Sequence, residues 1–398
     1  MISFVKMLIL LMLPLNSLGC LASELANQTW QIHGFAAQGV INVSGSDFVN
    51  DDGRLSTELT EVGINASYQL SPFLRAAGQL VYIDGGNRYN KGVRADYLLL
   101  DWSIHDSEQW LVNLYLGRFK NNHWLYSSTR DVPFTRPTII LPQGVYFDGF
   151  RDIAVGGDGA NVKVRYSSDE YGNFDLNVST GASEISTEQT KIILSEFALG
   201  DMGHENDTQL SLYWQPIYSS WRFGFALLDS DFTYKAQQHD AFSDANIVLQ
   251  RYFINALYEG ERWEFSSEVF QERFVMDGFY FADYHQDNFG QGYFLQSRYT
   301  VDPKLKLLMR YEHFVVNKDD RSGKKLEQLS GGAIPHYFGY LKELTFGVEY
   351  QMSERVKFQF EYHLVDGTAR LTPVVLPNTQ LNDDENWQMW AAQIMYWF

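Results

Sequence analysis

The sequence predicts an all-β fold: a transmembrane antiparallel β-barrel of about 16 strands, with long extracellular loops. Three observations lead there. Units of about ten residues with alternating apolar and polar character recur along the whole chain. Short turns and long polar loops alternate between those units. The chain ends inside such a unit, "QIMYWF" (393–398), with no polar tail of the kind that frays from most soluble domains.

The alternation is clearest at 356–364. There Val356, Phe358, Phe360, Tyr362 and Leu364 interleave with Lys357, Gln359, Glu361 and His363. The same period of two runs through 160–166, 209–214 and 221–227. In the last unit Trp390, Ala392, Ile394, Tyr396 and Phe398 form one apolar face. A soluble sandwich would bury such faces inward. Aromatic residues make up 16% of this chain, beside 20% charged residues, and a membrane barrel uses both: aromatic girdles outside and a polar lumen within.

The connections give the strand count. Short turns fall near 71–73, 105–109, 168–172, 217–220, 259–262, 302–304 and 353–354. Longer polar stretches fall near 44–57, 84–92, 119–156, 183–206, 235–243, 274–289, 317–338 and 368–385. Seven turns and eight loops join sixteen strands, and both termini then lie on the short-turn side.

The first 22 residues combine Lys6, an apolar run from Met7 to Leu15 and small residues before Ala22. They read as a cleaved secretory signal, because the run is too short to span a bilayer. Residues 23–398 then form a single barrel domain. Cys20 admits a second reading, as a lipidated N-terminus, although Ser17 stands where a lipoprotein signal usually has leucine. Cleavage after Ala22 leaves no cysteine, and therefore no disulfide and no thiol chemistry. It also removes Lys6 and takes the formal charge from −18 to −19, which argues against nucleic acid as a partner.

Sixteen strands enclose a lumen too wide for wall side chains to fill. The third long loop, 119–156, is the longest and carries Trp124, Tyr126, Phe134, Ile139, Ile140, Leu141, Val145, Tyr146 and Phe147. Apolar residues without a strand partner imply a loop that folds into the lumen; a lid packed outside over its neighbours is the alternative.

Several stretches resemble Gram-negative outer-membrane porins of the sixteen-stranded kind, especially the porin-like outer-membrane proteins of marine gammaproteobacteria. They are Gly34 within "IHGFAAQGVI", "LYLGRFK" (114–120), "STRDVPFTRP" (128–137), "LPQGVYFD" (141–148) and the closing Phe398. The resemblance implies an outer-membrane location, a homotrimer, contact with lipopolysaccharide and passive diffusion of small hydrophilic solutes. It also implies that Phe398, with Tyr396, forms the signal read by the barrel-assembly machinery. The N-terminal coiled-coil segment of some phosphate-selective relatives has no counterpart here, so phosphate selectivity does not carry over.

The expected pore-lining set is Arg118, Lys120, Arg130, Asp131, Arg136, Asp148, Arg151, Asp152, Lys163 and Arg165, since opposed charges across a pore favour one sign of ion. Lys163 and Arg165 have inward parity. Strict alternation pushes Arg118 toward lipid unless a bulge at Gly117 turns it inward. The competing role for these charges is to pin the loop to the wall by salt bridges, and the two roles are compatible. Glu264, Glu268 and Glu272, with Arg298, Lys306, Arg310 and Glu312, read as a wet mixed-charge wall, with a cation site as the alternative. The acidic stretches "NDDG" (50–53) and "NDDEN" (382–386) lack a complete calcium-loop pattern and read as solvated loops. No metal or cofactor is expected. An enzyme would need a placed nucleophile and base, and neither Gly-x-Ser-x-Gly nor His-Glu-x-x-His occurs. A plugged barrel acting as a surface adhesin or receptor is the remaining alternative.

Overall fold

The computed structural model describes residues 30–50, 53–122, 125–154 and 156–398, so the signal segment 1–22 lies outside it. Sixteen strands pair antiparallel in chain order. They are β1 (Trp30–Ser44), β2 (Thr60–Ser71), β3 (Leu74–Asp84), β4 (Gly92–Asp106), β5 (Trp110–Lys120), β6 (Gly156–Ser168), β7 (Gly172–Ala182) and β8 (Asp201–Gln215). The second half is β9 (Trp221–Lys235), β10 (Ala245–Glu259), β11 (Trp263–Gly278), β12 (His285–Asp302), β13 (Leu305–Val315), β14 (Tyr340–Ser353), β15 (Val356–Asp366) and β16 (Asn386–Trp397). β16 pairs with β1, which closes the barrel and leaves no sheet edge.

The two faces of the alternation go to two different surroundings. Leu98 and Ile254, each 67% exposed, and Val269 and Leu295, each 55% exposed, stand on the outer face. Such a band of large apolar side chains fits hydrocarbon. A girdle of cross-strand aromatic pairs rings its short-turn edge. Trp30 meets Tyr68, Trp110 meets Tyr166, Trp221 meets Tyr258 and Trp263 meets Tyr299, with centroids 4.5–5.0 Å apart. Each pair is also a register pair, so the girdle follows from sequence spacing plus strand register.

The strands are longer than the sequence spacing predicts: β3 has 11 residues and β12 has 18. The expected loop at 274–289 shrinks to residues 279–284, and β8 already begins at Asp201 inside the expected loop 183–206. The extra length rises beyond the apolar band at the long-loop end. There the outer face carries polar pairs, Gln250 with Asp229 at 3.0 Å, Gln291 with Gln271 at 3.0 Å, and Arg273 with Asp287 at 2.9 and 2.7 Å. The inner face carries Phe232, Ile247, Leu249 and Met276, which pack on Ile193 and Leu194 of the fourth long loop. Polar outward residues made these stretches look like loop, whereas the inner packing keeps them in strand.

The last residue completes the seam. Gly34 N–H donates to Phe398 O at 3.1 Å and Phe398 N–H donates to Gly34 O at 3.0 Å. A Cβ at Gly34 would meet the Phe398 ring at 2.6 Å, so the glycine makes room for the terminal aromatic. Phe398 and Tyr396 sit on the outer side, their rings 6.2 Å apart. Deleting Phe398 should lower the yield of folded barrel, read as the heat-modifiable band in membrane fractions, and Gly34→Leu should lower it too. Wild-type yield from both would remove the seam's role in folding.

Candidate functional site

The described residues of segment 121–155, the third long loop, lie against inward side chains on strands around the barrel. Wall carboxylates hold its backbone. Glu361 accepts from Ile139 N–H at 2.5 Å and Ile140 N–H at 3.2 Å; Glu312 accepts from Gln143 N–H at 3.1 Å and Gly144 N–H at 3.2 Å. Glu268 accepts from Leu125 N–H at 2.9 Å and from the Tyr146 hydroxyl at 2.5 Å. Apart from the Tyr146 hydroxyl, the donors are backbone groups of the loop, which have no strand partner and must be satisfied once buried. Arg310 and Lys357 supply the converse, donating to the carbonyls of Ile140 at 3.1 Å and Phe134 at 2.9 Å. Ile139, Ile140, Leu141, Val145 and Tyr146 then pack on the inward Phe253, Phe270, Phe294 and Phe314.

The loop's own charges are spent within this arrangement. Arg136 bonds Glu61 of β2 at 2.7 Å, and Arg151 bonds Glu61 at 3.1 Å and Asp131 at 2.5 Å. Arg130 and Arg88 share Asp148 at 2.7 and 3.2 Å. Arg94 and Lys120 reach Asp131 at 2.9 and 3.5 Å, and Lys120 also reaches Asp96 at 2.7 Å. Burial tends to raise the Asp131 carboxyl, but Arg151, Arg94 and Lys120 outweigh it and hold the group well below the usual carboxylate range. Burial likewise opposes Arg88 and Arg130 at Asp148, and the arginines keep that carboxyl lowered.

Several expected pore-lining residues therefore stand elsewhere. Arg130, Asp131, Arg136, Asp148 and Arg151 are buried in ion pairs; they pin the loop and do not face water. Arg118 is on the outer face opposite Leu98. Gly117 has a φ of 113°, yet the register of β4 and β5 passes it without a shift, so Arg118 is not turned inward. Asp158 directly across makes it tolerable there, with bonds of 2.9 and 2.6 Å. Asp152 falls in the short helix α1 (Arg151–Ala154), and its side chain and Trp124 lie outside the described atoms. The wet-wall reading of Glu268, Glu272, Arg310 and Glu312 is also corrected: all four are buried beneath loops. Glu272 pairs with Arg251 at 3.3 Å and with Arg370 of the last loop at 2.9 Å.

That last loop, residues 367–385, crosses the long-loop mouth. Val374 and Val375 N–H donate to Ile193 O, each at 3.2 Å, and Leu376 N–H donates to Leu194 O at 2.9 Å. Ile193 ends helix α2 (Thr187–Ile193), in the loop between β7 and β8, on the wall opposite β16. Thr372 donates to Asn87 O at 3.0 Å, and Asn382 accepts from Asp47 N–H at 3.0 Å. The "NDDEN" stretch thus ties two loops together through Asn382, while Asp51 and Asp52 of "NDDG" lie outside the described residues.

Water-facing charge remains in the vestibule on the short-turn side. Lys163 and Arg165 of β6 face inward there, as their parity predicts. Arg75 pairs with Asp101 at 2.7 Å, Arg165 with Asp175 at 2.8 Å, and Arg298 with Glu264 at 2.8 Å and Glu349 at 3.1 Å. Lys306 and Lys357 also approach Glu349, at 3.9 and 3.5 Å. Glu259 stands at the last position of β10, beside the turn. Exposure falls toward the loop end: Tyr115 and Lys163 keep partial exposure, whereas Asn161 and Ser179, directly beyond them, are buried.

The residues that sequence reading missed, Glu61, Arg88, Arg94, Asp96 and Arg370, come from separate stretches of chain. An ionisable residue at an inward position was the available signal for Glu61, since Val62 and Ile64 are exposed on the outer side.

No protein-family model matches the chain, and no curated protein matches it. Many solved structures do. OmpF of Salmonella typhi, solved in complex with daunomycin, superposes with a TM-score of 0.57 at 13% identity, over 93% of this chain and 97% of that one. An anion-selective porin from Comamonas acidovorans gives 0.56 at 12% identity, over 93% and 99%. OmpT, an outer membrane protein of Vibrio cholerae in its trimer form, gives 0.56 at 12%, again over 93% and 99%.

Glu61 offers a test of the pinning network. Glu61→Ala leaves Arg136 and Arg151 buried without their shared carboxylate, which costs about 3–5 kcal/mol. The unfolding temperature of the folded band should fall and protease should cut within 121–155, with Glu61→Gln milder than Glu61→Ala. Closed over its seam and girdled by aromatics, the chain has the sixteen-stranded outer-membrane porin fold.

Proposed function

We propose that the protein is an outer-membrane channel of a Gram-negative bacterium, through which small hydrophilic solutes and ions diffuse passively. The third loop, 121–155, constricts it. The observation that carries this reading is a lumen whose loop is held by wall carboxylates while the short-turn half carries charged pairs that stay partly exposed, Arg75 and Arg165 most of all. Such a loop narrows a path without adding to the hydrocarbon-facing wall. No cofactor is required, because diffusion through a polar path needs no chemistry, and the chain is read as a channel and not an enzyme.

The assembly is proposed to be a homotrimer, as the Vibrio cholerae neighbour is in its trimer form. Outer-membrane lipid and lipopolysaccharide would surround it. The barrel-assembly machinery would read Phe398 and Tyr396, which present adjacent rings on the outer side at the chain end.

One observation favours a second reading. Inward side chains at mid-height, including Gln79, Ser179, Ser211, Phe253, Glu268 and Gln359, are buried, and the last loop crosses the mouth above them. A barrel filled in this way could act as a surface receptor with a plug. Conductance separates the two. Purified protein in a planar bilayer should give discrete steps, and deleting residues 124–150 should enlarge them. A folded deletion variant with unchanged steps would place the constriction elsewhere, and a wild type that never conducts would favour the receptor.

A further inference from the structure

The pairing pattern in the short-turn vestibule bears on which solutes the channel proposed above prefers, and its meaning for selectivity rests on that channel reading. Asp101, Asp175, Glu264 and Glu349 each have an arginine or lysine partner within 4 Å. Two inward cations have no carboxylate within 4 Å among the described residues, although Asp101 and Asp175 lie close enough to act on Lys163 and Glu268 close enough to interact with Arg222. The Lys163 ammonium lies over the Tyr115 ring, 4.4 Å from its centroid, and the Arg222 guanidinium lies over the Tyr213 ring at 4.9 Å. A ring face orients a cation through its quadrupole but does not cancel the charge, whereas a carboxylate does. Both rings are themselves wall residues: Tyr115 is on β5 beside β6, and Tyr213 is on β8 beside β9.

Position adds to this. Lys163 sits at the upper limit of the exposed vestibule, directly beneath the level where Asn161 and Ser179 are buried. Charge acts most strongly where the path narrows, because there is less water to screen it. The loop arginines, by contrast, are each consumed by Glu61, Asp131 or Asp148.

We infer that Lys163 and Arg222, held on tyrosine faces, are the selectivity-determining residues of the channel and make it prefer small anions. The loop arginines hold the constriction and leave selectivity to the wall below it. The overall acidity of the chain does not oppose this, since charge farther than about 8 Å from the path is screened at physiological salt.

The test is the reversal potential of single channels in planar bilayers under a potassium chloride gradient. Lys163→Gln should lower the chloride-to-potassium permeability ratio up to about sixfold, because one charge about 8 Å away in water shifts chloride and potassium roughly twofold each, in opposite directions. Lys163→Gln with Arg222→Gln should lower it further, and Lys163→Arg should keep it near wild type. Removing a neutral pair, Arg165→Gln with Asp175→Asn, should leave the ratio unchanged. Steps of wild-type size with an unaltered ratio in the double glutamine variant would overturn the inference while leaving the channel reading in place. So would an equal shift from Lys163→Arg, which would mark a structural effect. Absence of any steps in the wild type would instead overturn the channel reading, and this inference with it.

Discussion

The constraint on which the whole structure depends is that backbone polar groups facing hydrocarbon must be paired within the protein. A strand edge cannot satisfy it, so the sheet has to close, and closure depends on β1 meeting β16 in register. The seam extends to the last residue, where Phe398 exchanges two hydrogen bonds with Gly34. Phe398 is thereby part of the wall.

Closure with sixteen strands creates a second problem, a lumen wider than its wall side chains can fill. The protein solves it with charge as well as with apolar packing. Glu361, Glu312 and Glu268 present carboxylates to backbone N–H groups of the third loop, and Arg310 and Lys357 present donors to its carbonyls. An irregular segment buried inside a barrel has no ladder partner, so side chains take the role that a neighbouring strand would play. The arginines of the loop are then matched to Glu61, Asp131 and Asp148, because an unmatched guanidinium could not stay buried.

On the channel reading proposed above, holding and selecting fall to different residues. Charges committed to buried pairs set where the loop sits, and they contribute little field to a solute passing by. Lys163 and Arg222, which stand outside any close ion pair among the described residues, lie on the wall of the vestibule, each over a tyrosine ring. The extended strands β8 to β12 and the strap formed by residues 367–385 add a further level above the apolar band. There apolar packing between loops and inner strand faces covers the long-loop mouth.

The barrel, its strand number, the outward face of the last strand and the inward parity of Lys163 and Arg165 can all be read from the order of residues alone. All of these rest on a period of two and on turn spacing, which are local properties of the chain. That order also marked segment 119–156 as too apolar for an ordinary outer loop. What it could not determine was which charges meet. Glu61 and Arg136 are 75 residues apart, and Ile139 and Glu361 are 222 apart, so their pairing exists only once the barrel has closed. The same holds for Arg118, which alternation faces outward and which only the Asp158 opposite it on β6 makes tolerable there, and for Glu268, which parity alone made water-facing and the loop made buried. Alternation fixes which side of the wall a residue faces. Whether that side holds water or protein is decided by segments that arrive from elsewhere in the chain.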